Sequence, residues 1–68
     1  MTKEEIKALR KRAGLTQSEA AALVFCTLGS WQNYEYGHTN IPRGREALLR
    51  SRIKKIIRRK ESKNETDD

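Results

Sequence analysis

Hydrophobic residues recur at helical spacing along most of this chain, with short polar segments between them. In the first such stretch Ile6, Leu9 and Ala13 lie at positions i, i+3 and i+7, so they share one face of a helix. Thr2 precedes the stretch as a capping residue, acids follow it in the first turn, and a glycine ends the pattern. The pattern predicts a first helix over about residues 3–13.

Threonines mark the starts of two further short helices. Thr16 opens the sequence Thr-Gln-Ser-Glu, in which hydroxyl and carboxylate can cap a helix N-terminus reciprocally. We expect a second helix over about residues 17–24, with alanines that allow another helix to approach closely. Thr27 caps a third helix, predicted over residues 28–36 and ended by Gly37.

A loop and a longer helix complete the predicted fold. Residues 37–45 include two glycines, the proline and an asparagine, which favour a loop, and Ile41 is expected to point inward from it. A fourth helix is predicted over about residues 46–60, where Leu49 begins an apolar stripe at helical spacing. The fold class expected is all-α, a compact bundle of four to five helices.

Size and composition limit the classes of function. A chain of 68 residues makes one domain, and a domain this small buries only about 60% of the surface that its unfolded chain exposes. The sequence contains no catalytic triad, no Cys/His pair, no metal-ligand cluster and no phosphate-binding glycine motif. We therefore expect no enzyme activity, no metal, no cofactor and no small-molecule ligand.

Other absences in the sequence bear on where the protein acts. Cys26 is the single cysteine, so no intramolecular disulfide can form, and a small, buried hydrophobic role is expected for it. No apolar run approaches the ~20 residues of a membrane span. The expected location is cytoplasmic.

The charge of the chain is large and unevenly distributed. The formal net charge is +6, which indicates a polyanionic partner, either nucleic acid or an acidic membrane surface. Residues 43–60 contain nine basic side chains and one acid, whereas residues 61–68 contain one lysine and four acids. We expect a folded domain over residues 1–60 and a disordered acidic tail over residues 61–68.

Two short helices joined by a tight turn, the second capped by threonine, form a helix-turn-helix pattern. The segment TQSEAAALVFCTLGSWQNYEYG resembles that motif in the Cro/repressor family, also called the xenobiotic-response-element family. The resemblance extends over about residues 6–49, and its most specific parts are LRKRAGLTQSEAA, the apolar pair Trp31 and Tyr34, and Glu35-Tyr36-Gly37 before a loop and Pro42. Within the family, the chain is similar to small phage-borne repressors, including anti-CRISPR-associated regulators.

The resemblance implies a lambda-repressor-like fold and a recognition helix over about residues 28–36 that enters the major groove of DNA. It also implies an ion pair between Arg10 and Glu35, which ties the first helix to the third. Trp31 and Tyr34 are then core residues rather than stacking partners for bases. The residues implied to read bases are Thr27, Leu28, Gly29, Gln32 and Asn33.

Phosphate contacts are expected around the same helix. The resemblance places Gln17 against a backbone phosphate and the loop after Gly37 along the phosphates, and basic residues at the end of this loop suit the same role. The candidates for phosphate binding are Gln17, Tyr36, His38, Thr39, Asn40, Arg43 and Arg45. One departure concerns the turn, because Phe25 stands where the family usually has glycine. A positive φ there would be strained, so we expect the turn to differ in shape from that of the family.

A homodimer is expected because one such domain reads only a few base pairs. A two-fold axis would match an operator with inverted-repeat half-sites. Ile53, Ile56 and Ile57 are predicted to extend past the core and form the dimer interface. The alternative is that the fourth helix folds back and the isoleucines complete the core.

The function predicted from the sequence is sequence-specific binding of double-stranded DNA by a homodimeric transcriptional repressor. One alternative is an antitoxin or another protein-interaction module that also binds DNA. Another is a basic amphipathic peptide that acts on membranes through residues 46–60, although the apolar face of that segment lacks aromatic residues. We therefore expect no membrane partner.

Overall fold

The computed structural model describes residues 1–66, with side chains described for residues 1–60. Four α-helices follow one another in this part of the chain: α1 (Lys3–Arg12), α2 (Gln17–Leu23), α3 (Leu28–Tyr36) and α4 (Arg43–Thr66). No strand occurs between residues 1 and 66. The predicted all-α fold is confirmed, and the first three helices lie within a residue of their predicted bounds.

Threonine side chains begin the first three helices, as the sequence predicts. The hydroxyl of Thr2 accepts from the amide of Glu5 at 3.2 Å, and the Glu5 carboxylate accepts from the Thr2 amide at 3.1 Å. Thr16 and Glu19 form the same reciprocal pair at the start of α2. Thr27 caps α3 through its hydroxyl. Each cap satisfies amides that the first helical turn leaves without partners, which fixes where the helix starts.

The core lies where α1 and α2 pack against one side of α3, and α4 closes it against α1. Ala20 and Ala21 are almost fully buried on α2, and their small side chains allow α3 to pack closely against it. Trp31 is fully buried, and its ring meets that of Tyr34 edge to face at a centroid distance of 6.5 Å. The core residues are Ile6, Ala13, Ala20, Ala21, Val24, Trp31, Tyr34, Ile41, Leu49, Ile53 and Ile57.

Helix α4 is longer at both ends than predicted. It begins at Arg43 because Pro42 suits the start of a helix and its carbonyl accepts from the amide of Glu46 at 2.8 Å. It continues to Thr66 through a polar segment that contains no glycine or proline. The backbone of residues 61–66 is therefore helical, whereas a disordered tail was expected there. Residues 67 and 68 lie outside the described residues, so the prediction for them stays a prediction.

The isoleucines of α4 complete the core of their own chain. Ile53 is 0% and Ile57 is 7% exposed, and Ile57 lines a concave surface with Leu9 and Arg12 of α1. The prediction that these two residues extend past the core is wrong. The short helices α1–α3 leave one apolar face of α1 open, and α4 folds back to cover it. Ile56 is half-buried at the edge of this contact. None of the described helices is long and apolar enough to cross a membrane.

Candidate nucleic-acid interface

Helix α3 has one buried side and one exposed side. Successive side chains on a helix are about 100° apart, so Trp31, Tyr34 and Glu35 point together into the protein. Gly29 and Asn33 lie on the opposite side and are exposed. A Cβ atom added at Gly29 would meet nothing within 4 Å, so the space beyond this backbone is open. Polar groups on such a face can reach the edges of base pairs in a major groove.

A buried carboxylate holds α3 in place from behind. Glu35 is 6% exposed, and Arg10 donates to it through Nε at 2.5 Å and through Nη2 at 3.3 Å. The indole Nε1 of Trp31 donates to the same carboxylate at 2.5 Å, and Gln17 Nε2 donates at 3.3 Å. The predicted ion pair between Arg10 and Glu35 is confirmed. The same contacts join three elements, namely α1, α3 and the first residue of α2.

The donors around Glu35 also set its charge. Burial raises the pKa of the Glu35 carboxyl, but hydrogen bonds from Arg10, Trp31 and Gln17 outweigh that effect, so the pKa lies below its ordinary value. The carboxylate is therefore ionised near neutral pH. An ionised carboxylate only accepts hydrogen bonds, which suits a site where every neighbour is a donor.

Two predicted contact residues bond to one another across the α2–α3 contact. Gln32 Nε2 donates to Gln17 Oε1 at 3.2 Å. Both side chains are half-buried, whereas Asn33 beside them is exposed. The sequence placed Gln17 at a phosphate and Gln32 at a base, and neither contact is tested by the structure. Their mutual hydrogen bond was missed, because residues 15 positions apart give no periodic signal.

The turn before α3 keeps a positive φ at Phe25, whereas the sequence favoured a turn of different shape that would avoid this strain. Phe25 has φ of +58° and its side chain is 70% exposed. The guanidinium of Arg52 on α4 lies 5.0 Å from the centre of the Phe25 ring, a cation–π contact that holds the turn against α4. Of the predicted base readers at the start of α3, Thr27 uses its hydroxyl to cap the helix and Leu28 is 42% exposed.

The loop after α3 is tied to the end of the helix. Gly37 has φ of +82°, a conformation that favours glycine. The backbone amides of His38 and Thr39 then donate to the carbonyl of Asn33 at 2.9 and 3.3 Å. The ring of His38 lies edge to face with that of Tyr36, at a centroid distance of 6.1 Å. The predicted phosphate-binding residues of this segment, Tyr36, His38, Thr39 and Asn40, are all exposed beside α3.

Comparison with known families shows to which domain family this chain belongs. A helix-turn-helix domain model matches residues 4–51, which is more than half of the chain. The chain belongs to the helix-turn-helix domain family. The match includes α1, α2, α3, the loop and the start of α4, and it supports DNA binding as the general function. Among curated proteins and solved structures the comparisons found no match.

Two lysines of α1 lie beside α3, and neither was predicted as a site residue. A concave surface of about 320 Å³ is lined by Lys3, Glu4 and Lys7 of α1 and by Glu35 and Tyr36 of α3. Both lysines are exposed. Their spacing of four residues puts them on one face of α1, which is the signal that a sequence reading could have used. Their positive charges share this surface with the carboxylates of Glu4 and Glu35, of which Glu35 is already paired with Arg10.

The two predicted arginines at the start of α4 differ in their surroundings. Arg43 is exposed at the first residue of the helix, as a phosphate contact requires. Arg45 is half-buried, and its Nη1 donates to the hydroxyl of Tyr34 at 2.8 Å. This hydrogen bond raises the pKa of Arg45. One N–H group of Arg45 is therefore used in a hydrogen bond to the core residue Tyr34. Contact between Arg45 and phosphate stays a prediction.

Proposed function

We propose that this helix-turn-helix protein is a sequence-specific DNA-binding repressor of transcription, of the Cro/repressor type. It places α3 in the major groove and acts as a homodimer on an operator with inverted-repeat half-sites. The protein acts by binding, and no catalytic step is part of the proposal. The regulatory role follows from occupying a site that other proteins need.

The proposal rests on the contrast between the buried side and the exposed side of α3. Its inner side is fixed by two buried aromatic rings and by the carboxylate of Glu35, while Asn33 is exposed on its outer side. A helix that is held rigidly from behind loses little entropy when its outer face meets DNA. Asparagine can form two hydrogen bonds to adenine in the major groove, so Asn33 is the residue we expect to read a base most directly.

Charge around the helix supports an anionic partner. The net charge of the chain is +6. Lys3, Lys7 and Arg43 are exposed, and the two lysines adjoin the end of α3. Contacts from such cations to phosphates supply affinity that is independent of sequence, and base contacts add the preference for a site.

We propose a homodimer because the DNA site that a single domain reads is small. A single helix-turn-helix reads too few base pairs to distinguish one site in a genome, and a two-fold axis doubles the number read. Since Ile53 and Ile57 are buried within one chain, a dimer must use other surfaces. Ile56, which is half-buried, is the one residue of the predicted interface that stays near the surface.

A pair of variants tests the proposed function. Asn33→Ala should weaken binding to the preferred duplex by roughly 1–3 kcal/mol and change binding to random duplex little. Arg43→Ala, as the matched variant, should weaken binding to both duplexes about equally. Fluorescence anisotropy with labelled duplexes measures both effects. Equal weakening of both duplexes by Asn33→Ala would contradict the assignment of the reading face.

A further inference from the structure

The side chain of Phe25 is exposed although its backbone is strained. Phe25 has φ of +58°, a conformation that residues other than glycine rarely adopt, and its side chain is 70% exposed. It is the most exposed of the large hydrophobic residues among residues 1–60. The ring therefore adds little to the core of its own chain. A strained backbone that displays an apolar ring indicates contact with another molecule.

An apolar line continues from Phe25 along α4. Leu48 and Ile56 are eight residues apart, which places them on the same side of the helix, about 12 Å apart along its axis. Both are half-buried. Leu48 lines a concave surface of about 310 Å³ together with Phe25 and Pro42, and Ile56 lines a second one of about 440 Å³. Apolar groups are therefore accessible from solvent at both places.

Cations lie along the same side of α4. Arg52 is four residues from both Leu48 and Ile56, and its guanidinium lies 5.0 Å from the centre of the Phe25 ring. Arg59 lines the second concave surface with Ile56. Both arginines are exposed. Within residues 1–60, none of the residues that line the two concave surfaces is acidic. We call Phe25, Leu48, Arg52, Ile56 and Arg59 the Phe25 face.

We propose that the Phe25 face binds an acidic amphipathic helix of another protein. Residues seven or eight positions apart on such a helix are separated by about 11–12 Å, which matches the distance from Leu48 to Ile56 along α4. Its apolar side chains cover Phe25 and these two residues, while its carboxylates pair with Arg52 and Arg59. The face contains no residue of α3, so this interaction goes beyond the proposed binding of DNA.

Charge and hydrophobicity together distinguish this partner from two other occupants. A second copy of the chain would bring the same arginines against Arg52 and Arg59, and like charges in contact disfavour association. Duplex DNA would pair with the arginines, but its phosphates would leave Leu48 and Ile56 uncovered. A partner that is both acidic and apolar satisfies both kinds of side chain on the Phe25 face.

The experiment uses a fluorescein-labelled peptide of about 18 residues, with leucines on one side of its helix and glutamates on the other. A scrambled peptide of the same composition is the control for charge. Wild type is compared with Phe25→Gly, which removes the ring and suits the positive φ, and with Arg52→Glu. Lys54→Glu is the matched variant, because Lys54 is exposed and lies about 200° around α4 from Arg52.

Fluorescence anisotropy at about 150 mM salt measures the affinities. The amphipathic peptide should bind wild type at least about 10-fold more tightly than the scrambled one. Phe25→Gly should weaken its binding about 10-fold, because the interaction buries most of a phenylalanine side chain. Arg52→Glu should weaken it at least about 5-fold and Lys54→Glu less than about 2-fold, since Lys54 lies outside the Phe25 face. A duplex of random sequence should leave the peptide bound.

Other results would overturn the proposal. Equal affinity for the two peptides would mean that charge alone attracts them. Equal weakening by Arg52→Glu and Lys54→Glu would place the contact elsewhere, and this comparison holds even if Phe25→Gly folds poorly. Displacement of the peptide by the duplex would assign the Phe25 face to nucleic acid. If Phe25→Gly sediments as a monomer and wild type as a dimer, the face is covered by a second copy instead.

Discussion

Replacing Glu35 with glutamine tests the contact that holds α3 in place. The substitution keeps the shape of the side chain but turns one accepting oxygen into an NH₂ group that faces donors from Arg10 and Trp31. Hydrogen bonds to charged groups contribute about 1.5–3 kcal/mol each, and a domain of this size has a total stability of roughly 3–10 kcal/mol. We expect Glu35→Gln to lower the free energy of unfolding by about 2–4 kcal/mol, because at least one such bond is lost and Arg10 is left buried without its counter-charge.

The effect of Glu35→Gln should depend on pH in a defined direction. Since the pKa of Glu35 is lowered on folding, its carboxylate stabilises the protein above the unfolded pKa, ordinarily about 4.5, and this stabilisation is lost as the pH falls through the lowered value. The difference between wild type and variant should therefore be full near pH 7 and shrink below about pH 4.5. Glu5 and Glu46 also have lowered pKa values, but both are present in the two proteins and cancel in the difference.

Urea denaturation followed by far-ultraviolet circular dichroism at several pH values measures this difference. Glu46→Gln is the comparison variant, because the Glu46 side chain is more exposed than that of Glu35 and pairs with the partly buried amino group of Met1 and with the exposed Arg50. Its exposed pair with Arg50 should contribute about 0–1 kcal/mol. A difference for Glu35→Gln that is as small as that of the control, or that stays constant down to pH 3, would refute the reasoning.

Further predictions concern the core, the turn and the DNA contact. Ile53→Ala should destabilise the domain by about 2–5 kcal/mol and Ile57→Asp should unfold it, as thermal denaturation will show; a folded Ile57→Asp protein would contradict the burial of this residue. Phe25→Gly should be more stable than Phe25→Ala by about 1 kcal/mol in urea denaturation, because alanine keeps the strain of a positive φ, and the reverse order would refute that explanation. If a dimer contacts roughly 6–10 phosphates, affinity for duplex DNA should fall about 10³- to 10⁵-fold between 50 and 200 mM salt, and binding that salt leaves unchanged would exclude this contact.

Local chemistry in the sequence was enough to predict the first three helices. Thr2, Thr16 and Thr27 cap their helices through residues three positions away, so the signal for each start lies within one turn. The positive φ of Phe25 was not predicted, because its local strain argued for a turn of different shape. The ion pair between Arg10 and Glu35 came from the resemblance to a family and not from local pattern.

Features that depend on packing between distant residues could not be predicted in this way. Whether the isoleucine stripe of α4 covers α1 or meets another molecule depends on how much of α1 the other helices leave open, and periodicity is the same in both cases. The bond between Gln17 and Gln32, like that from Arg45 to Tyr34, depends on side-chain positions set by tertiary structure. These contacts determine which predicted site residues are free to meet DNA.

The ratio of two dissociation constants tests the central claim most directly. Wild-type protein is titrated, at about 150 mM salt, with the duplex selected from a random pool and with a scrambled duplex of the same composition. A sequence-specific DNA-binding protein should bind the selected duplex at least about 10³-fold more tightly than the scrambled one. Equal affinity for the two duplexes would contradict sequence-specific recognition by α3.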